Sequence, residues 1–251
     1  MPQFKDMKIV VTGAAGGIGS LLCRRLTAEG ATVIGIDRVA CPEAAETIMA
    51  DLGSFDGIAA LGALLADRPV DILVNLAGIQ YFGPFHEQSP ESLWAGYVVN
   101  LIAPAMLSRA VLPGMRARGS GRIVNIGSVF GAIPFAHFVS YSSAKAGLKG
   151  LSQALRRELA GTGVEVTHIA PRAVRTALNS ELVMKLAGLT RMNMDPPELV
   201  VARIARAMIR GERDVVIGFP ESLFVRINAL APAMVDRALA ANDRKAAALF
   251  Q

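Results

Sequence analysis

The sequence predicts a doubly wound α/β fold, and three observations predict it. Short apolar, β-branched runs alternate with segments of helical periodicity along nearly all of the 251 residues, the pattern of a parallel sheet covered on both faces. Hydrophobic residues make up 52% of the chain and charged residues 19%, which suits a large core and excludes a disordered polypeptide. No repeat, low-complexity tract or linker interrupts the alternation, so one domain spanning 1–251, with about seven strands, is expected.

The elements follow in order. KIVVTG is β-branched and ends in glycine, a buried strand entering a turn. GIGSLLCRRLTAEG places Ile18, Leu21, Leu22 and Leu26 at helical spacing and stops at Gly30, a suitable C-terminal cap. Cys23 falls within this apolar pattern as a small core residue, and neither it nor Cys41 has metal-ligand spacing, so no metal is expected. ATVIGID is a second strand and AETIMADL a third. SFDGIAALGALLAD is helical, VDILVNLAG is a strand, and a long helical pattern covers Ser89–Arg118 with irregularities expected at Pro104 and Pro113. GRIVNIGS, a helix carrying Tyr141, and the strand GVEVTHIAP come next. A variable stretch at about 177–195 precedes the helix PPELVVARIARAMIRG and the strand RDVVIG. The tail, about 219–251, is amphipathic helical sequence: Leu223, Ile227 and Leu230 form a stripe, with Phe224 beside it. The stripe is expected to pack on the protein's own core, the alternatives being a dimer contact or a shallow membrane contact.

The net charge of +5 comes from scattered Lys and Arg with no run of five, and aromatics are sparse, so the charge reads as a solubility property and no nucleic-acid partner is expected. The N-terminal MPQFKDMKIVVTG has no signal-peptide core, and no apolar stretch of about 20 residues is read as a spanning helix, so a cytoplasmic protein is expected.

Two features carry chemistry. VTGAAGGIG lies between the first strand and first helix, where Gly13, Gly17 and Gly19 would let backbone approach a pyrophosphate at the helix N-terminus. Asp37 closes the second strand about 20 residues on, where a carboxylate can accept hydrogen bonds from an adenosine ribose. In VSYSSAKAGLKG, Tyr141 and Lys145 are four apart and share a helical face. An ammonium there is expected to lower the phenol's pKa and ready it for proton transfer.

These motifs resemble the short-chain dehydrogenase/reductase family over nearly the whole chain. TGAAGGIG is similar to its T-G-x-x-x-G-x-G turn, Asp51–Leu52 to its adenine-touching pair, and NLAG (Asn75–Gly78) to its N-N-A-G segment, with Leu76 as a departure. VVN supplies Asn100, NIGS supplies Ser128 thirteen residues before Tyr141, and YSSAK supplies Tyr141 and Lys145. The resemblance implies a Rossmann-type fold and hydride transfer between a nicotinamide cofactor and an alcohol/ketone pair. It makes Tyr141 the general acid/base, Ser128 the hydrogen-bond partner of the substrate oxygen and Lys145 the partner of the phenol and of the ribose hydroxyls. Asn100 would hold a water linking Lys145 to solvent. Cofactor contacts are implied for Gly13, Gly17, Ile18, Gly19, Asp37, Arg38, Asp51, Leu52, Asn75, Ala77, Gly78, Pro171, Val174 and Thr176. NAD(H) is favoured over NADP(H) because Asp37 would repel a 2′-phosphate and Ala14, Ala15 and Gly16 add no charge, which assigns Arg38 to adenine stacking or solvent.

PRAVRT departs from the family's P-G-x-V-x-T: Arg172 replaces the glycine, to contact an anionic substrate group or to point to solvent. Phe130, Phe135, Phe138, Tyr81 and Phe82 suggest an apolar cleft, and Leu182, Val183, Met184 and Leu186 its lid, so a lipophilic or aromatic substrate is expected. The resemblance also implies a homodimer or homotetramer. A catalytically silent nucleotide-binding scaffold, or a lyase or epimerase of the same fold, is the alternative function.

Overall fold

The structure is a computed structural model and describes residues 3–251. Among these, seven parallel strands form one sheet in the order β3-β2-β1-β4-β5-β6-β7. They are β1 (Lys8–Thr12), β2 (Thr32–Asp37), β3 (Glu46–Met49), β4 (Ile72–Asn75), β5 (Gly121–Ile126), β6 (Val164–Pro171) and β7 (Asp214–Ile217). The strand order reverses between β1 and β4, and the carboxyl ends of the strands at such a switch point form a crevice.

Side chains alternate across a strand, and both faces are covered here. Ile9 and Val11 of β1 join Val74, Val124 and Ile169 on one face, under α1 (Gly19–Ala28) and α7 (Pro197–Arg210). Val10, Leu73 and Ile123 point the other way, under α2 (Phe55–Ala66) and α4 (Ala103–Arg118). Gly30, at φ +92°, stands just beyond α1, where its lack of Cβ lets the chain reverse into β2.

The long helical pattern is three pieces. Ser89 caps α3 (Pro90–Tyr97), accepting from the Ser92 N–H, and a π turn over Val98–Ile102 leads into α4. Pro104 has no N–H to return to the Asn100 carbonyl four residues earlier, which accounts for the widened turn before it. Pro113, in contrast, lies inside α4 without ending it. By length and composition Pro90–Arg118 is long and apolar enough to cross a membrane, which corrects the sequence expectation; in the fold 44% of its most apolar window is buried, and α4 packs on α2. After α5 (Val139–Glu158) and β6, the variable stretch forms α6 (Glu181–Thr190), and beyond β7 the tail forms α8 (Glu221–Leu230) and α9 (Pro232–Ala247).

The tail packs in part as expected. Val225, Ile227 and Val235 lie against Val129 and Ile133, and Ala246 and Leu249 against Phe138, Val183 and Leu186. The rest of the stripe does not: Leu223, Phe224 and Leu230 are exposed, Leu230 to 88%.

His168, inside β6, is buried, and burial pushes its imidazole down to about 4 against the opposing pull of the Asp214 carboxylate. The folded chain therefore holds it neutral, whereas the unfolded chain protonates it near 6.5. Its contribution to stability is full above about pH 6.5 and is lost as the pH falls from 6.5 towards 4. Urea unfolding at pH 7.5 and pH 5 should show wild type losing roughly 2 kcal/mol more than His168→Gln across that interval. Equal losses would show that His168 does not contribute to the acid sensitivity.

Candidate active site

A cavity of about 1030 Å³ opens at the carboxyl ends of the strands. The glycine turn forms one end of it. Gly13 adopts φ +69°, and a Cβ there would stand 2.8 Å from the Ala77 Cα, so glycine is what lets the turn lie against the end of β4. Thr12 Oγ1 locks that approach, accepting from the N–H groups of Leu76 (3.0 Å) and Ala77 (3.1 Å). A Cβ on Gly17 would come within 3.0 Å of Thr176 across the cavity. No side chain caps α1, and its first turn is free of acidic residues, so backbone N–H groups and the positive end of the helix dipole face this space.

Asp37 stands at the tip of β2. Its carboxylate accepts from the Ala15 N–H at 3.0 Å and from the Arg38 N–H at 2.7 Å, which fixes its charge beside the glycine turn. Arg38 itself is exposed at the rim. Asp51 accepts from Gly53 N–H, and Leu52 is buried beside the cavity. Ile18, Gly19, Ala77, Gly78, Pro171, Val174 and Thr176 also line the cavity.

The other end gathers Ser128, Tyr141 and Lys145. Tyr141 is 9% exposed; burial raises its pKa, and a hydrogen bond with Ser128 pulls the other way. This corrects the expectation that Lys145 sets the phenol's pKa: the ammonium lies 5.8 Å from the ring centroid and donates to the Ile126 carbonyl at 2.9 Å, and the direction of the phenol's shift is set by burial. Lys145, also buried, is pushed down to about 8.

Asn100 does not line the main cavity but stands directly behind it, in the π turn. Its Nδ2 donates to the carbonyls of Ile79 (2.7 Å) and Gly96 (2.8 Å). Its Oδ1 is buried without a partner among the described residues, and a Cβ on Gly78 would stand 2.9 Å from it and 3.5 Å from Lys145 Nζ. Tyr141, Ser140 and Asn100 share a second cavity of about 20 Å³, room for about one water.

Three sequence expectations need correction. Asn75 is absent from the lining: at 2% exposure its Nδ2 donates to Asn125 Oδ1 (2.8 Å) and Ser108 Oγ (3.3 Å), tying β4 to β5 and α4 beneath the site. Arg172 does line the cavity but neither points to solvent nor offers a free charge, because Asp195 and Glu221 hold its guanidinium. Of the proposed cleft and lid, Phe130, Phe138 and Val183 reach the cavity. Phe135 stacks on Phe130 at 4.4 Å and Phe82 on Phe138 at 4.6 Å, one layer back; Tyr81 donates to the Pro84 carbonyl, and Met184 faces outward. The sequence reading missed Trp94, 68% exposed at the mouth, and Gln80, whose Nε2 donates to the Leu178 carbonyl at 2.9 Å and so ties the loop after β4 to the variable stretch. The chain's single tryptophan was the available signal for the first; nothing local marks the second.

The model of the short chain dehydrogenase family matches residues 7–187, which hold the glycine turn, Ser128, Tyr141 and Lys145. The chain belongs to the short-chain dehydrogenase/reductase family. It is 32% identical to a ketoacyl reductase of Nostoc sp., over 94% of this chain and 89% of the relative. It is 35% identical to an acetoacetyl-CoA reductase of Allochromatium vinosum, over 78% of this chain and 88% of the relative. A short-chain dehydrogenase of Sphingobium yanoikuyae in complex with NADPH superposes with a TM-score of 0.78 at 27% identity, covering 92% of this chain and 95% of that one. The protein is thus an NAD(P)-dependent oxidoreductase of this family, with the family's sheet and helix arrangement.

Proposed function

We propose that the protein interconverts a lipophilic ketone and its secondary alcohol, with Tyr141 as the proton donor and acceptor and NAD(H) as the preferred cofactor. The observation that carries this reading is the meeting of Ser128, Tyr141 and Lys145 in the same cavity as a glycine turn too close-packed for side chains. The lining fits a nicotinamide cofactor: backbone N–H groups at the start of α1 would hold its pyrophosphate, and Asp37 would accept from its adenosine ribose hydroxyls. When bound, the cofactor supplies or accepts the hydride. Ser128 Oγ would donate to the substrate carbonyl oxygen, and the buried phenol, held protonated by its surroundings, would give that oxygen its proton as negative charge develops. Lys145, anchored on the Ile126 carbonyl, would present its remaining N–H groups to the ribose and phenol, and the one-water cavity at Asn100 would return a proton to Tyr141. A resting protonated phenol is the form that reduction consumes.

The substrate class is supported by the apolar wall of Phe130, Phe138, Val183 and Met192, with Trp94 at the mouth. The names of the relatives add β-ketoacyl thioesters to the candidates. Turnover of aliphatic, aromatic and steroid-sized ketones and alcohols, and of β-ketoacyl thioesters, followed by nicotinamide absorbance, tests the reading. Activity on bulky apolar ketones is expected, and no turnover of any member with either cofactor would overturn it. Exposed Ile102, Val139 and Trp94 on neighbouring helices support a homodimer or homotetramer, and the buried free thiols of Cys23 and Cys41 suit a cytoplasmic setting.

The NAD(H) preference rests on Asp37. Its carboxylate is fixed by two backbone N–H groups, so it cannot swing away from a 2′-phosphate without losing both bonds. Asp37→Ala should raise the ratio of kcat/KM with NADP(H) to that with NAD(H) by about tenfold or more. The NADPH-bound neighbour makes this a sharp test: a wild type that prefers NADP(H), or a variant with no relative gain, would remove Asp37 as the discriminator.

A further inference from the structure

We propose that Arg172 is a positioning residue that clamps three segments around the nicotinamide end of the cavity. Its Nη2 donates to Asp195 Oδ1 at 2.6 Å, and its Nη1 donates to Glu221 Oε2 at 3.0 Å and to the Phe219 carbonyl at 3.1 Å. One guanidinium thereby joins the end of β6, the far end of the variable stretch and the first turn of α8. The backbone continues the junction: Asp195 N–H donates to the Ala173 carbonyl at 2.9 Å, and Arg175 N–H donates to the Asp195 carbonyl at 3.0 Å. Between those two bonds lies Val174, bridged to Asp195, and two residues further on lies Thr176 facing Gly17. The clamp thus sits on the short segment that must hold still for the cofactor's nicotinamide end to be held. Gly218 is shaped to the same end, for a Cβ there would lie 2.6 Å from Arg172 Cδ, leaving no room for the arginine stem.

The charges decide between clamp and anion site. A single cation between Asp195, whose side chain is 6% exposed, and Glu221 leaves a net charge of −1, which repels an anionic substrate group. A buried ion pair is also a poor device for stability alone, because desolvation consumes most of its Coulomb energy, whereas removing one partner is costly. What this pair supplies is a fixed relative position of segments that are distant in sequence.

This inference rests on the reading of the cavity as a nicotinamide site, and the experiment separates the two. Arg172→Gly restores the family's usual residue but strands a buried carboxylate, so the neutral pair Arg172→Met with Asp195→Asn is made alongside it to keep the volume. Amide hydrogen exchange over 174–195 should rise by about tenfold in the paired variant, while exchange at β1 and β2 stays at the wild-type level. In the same variant the dissociation constant for NADH and the KM for ketone should rise about three- to tenfold, by more than kcat falls. Wild-type exchange over 174–195 in a folded paired variant, whatever its melting point, would overturn the proposal. Failure of the wild type to bind NADH or NADPH would instead overturn the cofactor reading, and the exchange comparison would still decide the clamp.

Discussion

Tyr141→Phe should lower kcat by about 10²–10⁴-fold and leave the dissociation constant for NADH within a few-fold. The substitution removes one oxygen from a ring that is otherwise held by packing: it is 9% exposed and meets Phe130 edge-on at 6.2 Å. The cradle of Gly13, Gly17 and Asp37 lies at the other end of the cavity and makes none of its contacts through that oxygen. What is lost is the proton that burial keeps on the phenol at neutral pH and that the substrate oxygen must receive. Stopped-flow reduction of a ketone found active in the panel, with cofactor fluorescence for binding, measures both quantities. A variant retaining a rate within a few-fold of wild type would require another donor, and Ser128 is the hydroxyl beside it.

The parts of the site that were legible in the sequence are those where chemistry is dictated locally. The glycine turn was readable because a backbone that touches Ala77 and Thr176 tolerates no Cβ, so spacing alone carries the geometry. Tyr141 and Lys145 were readable because helical periodicity places them on one face. The phenol's pKa was misjudged because a sequence shows a neighbouring charge but not the burial that opposes it. Asn75 was misplaced for a related reason: it ends β4, the strand against which the glycine turn lies, but the pleat turns its side chain down towards Asn125. Arg172 was the least legible residue. Its partners are 23 and 49 positions away, and no local pattern announces a contact made across a variable segment and a second strand.

Deleting Phe219–Gln251 should abolish cooperative folding rather than yield a soluble, cofactor-binding core. The tail has two faces with different consequences. Leu223, Phe224, Leu230 and Met234 are largely exposed already, and removing them costs the fold less than removing the covered face. The other face covers Val129 and Ile133 with Val225, Ile227 and Val235, and backs Phe138 with Ala246 and Leu249. Phe250 adds a ring 5.0 Å from Phe82, and Asn228 donates to the Ala132 carbonyl at 2.8 Å. Truncation would bring Val129, Ile133 and Phe138 towards water at about 1.5–3 kcal/mol for each fully exposed side chain. The sum, roughly 5 kcal/mol or more, is comparable to the whole stability of an ordinary domain. It would also take Glu221 from Arg172 and the backing from Phe138, which immediately precedes α5 and lies three residues before Tyr141. A shorter cut, removing only Leu249–Gln251, should leave a folded protein with a lowered melting point, because most of the covered face survives. Thermal unfolding and NADH binding of both truncations check the ranking. A 1–218 chain that melts at the wild-type temperature would mean that the tail merely rests on the core it covers.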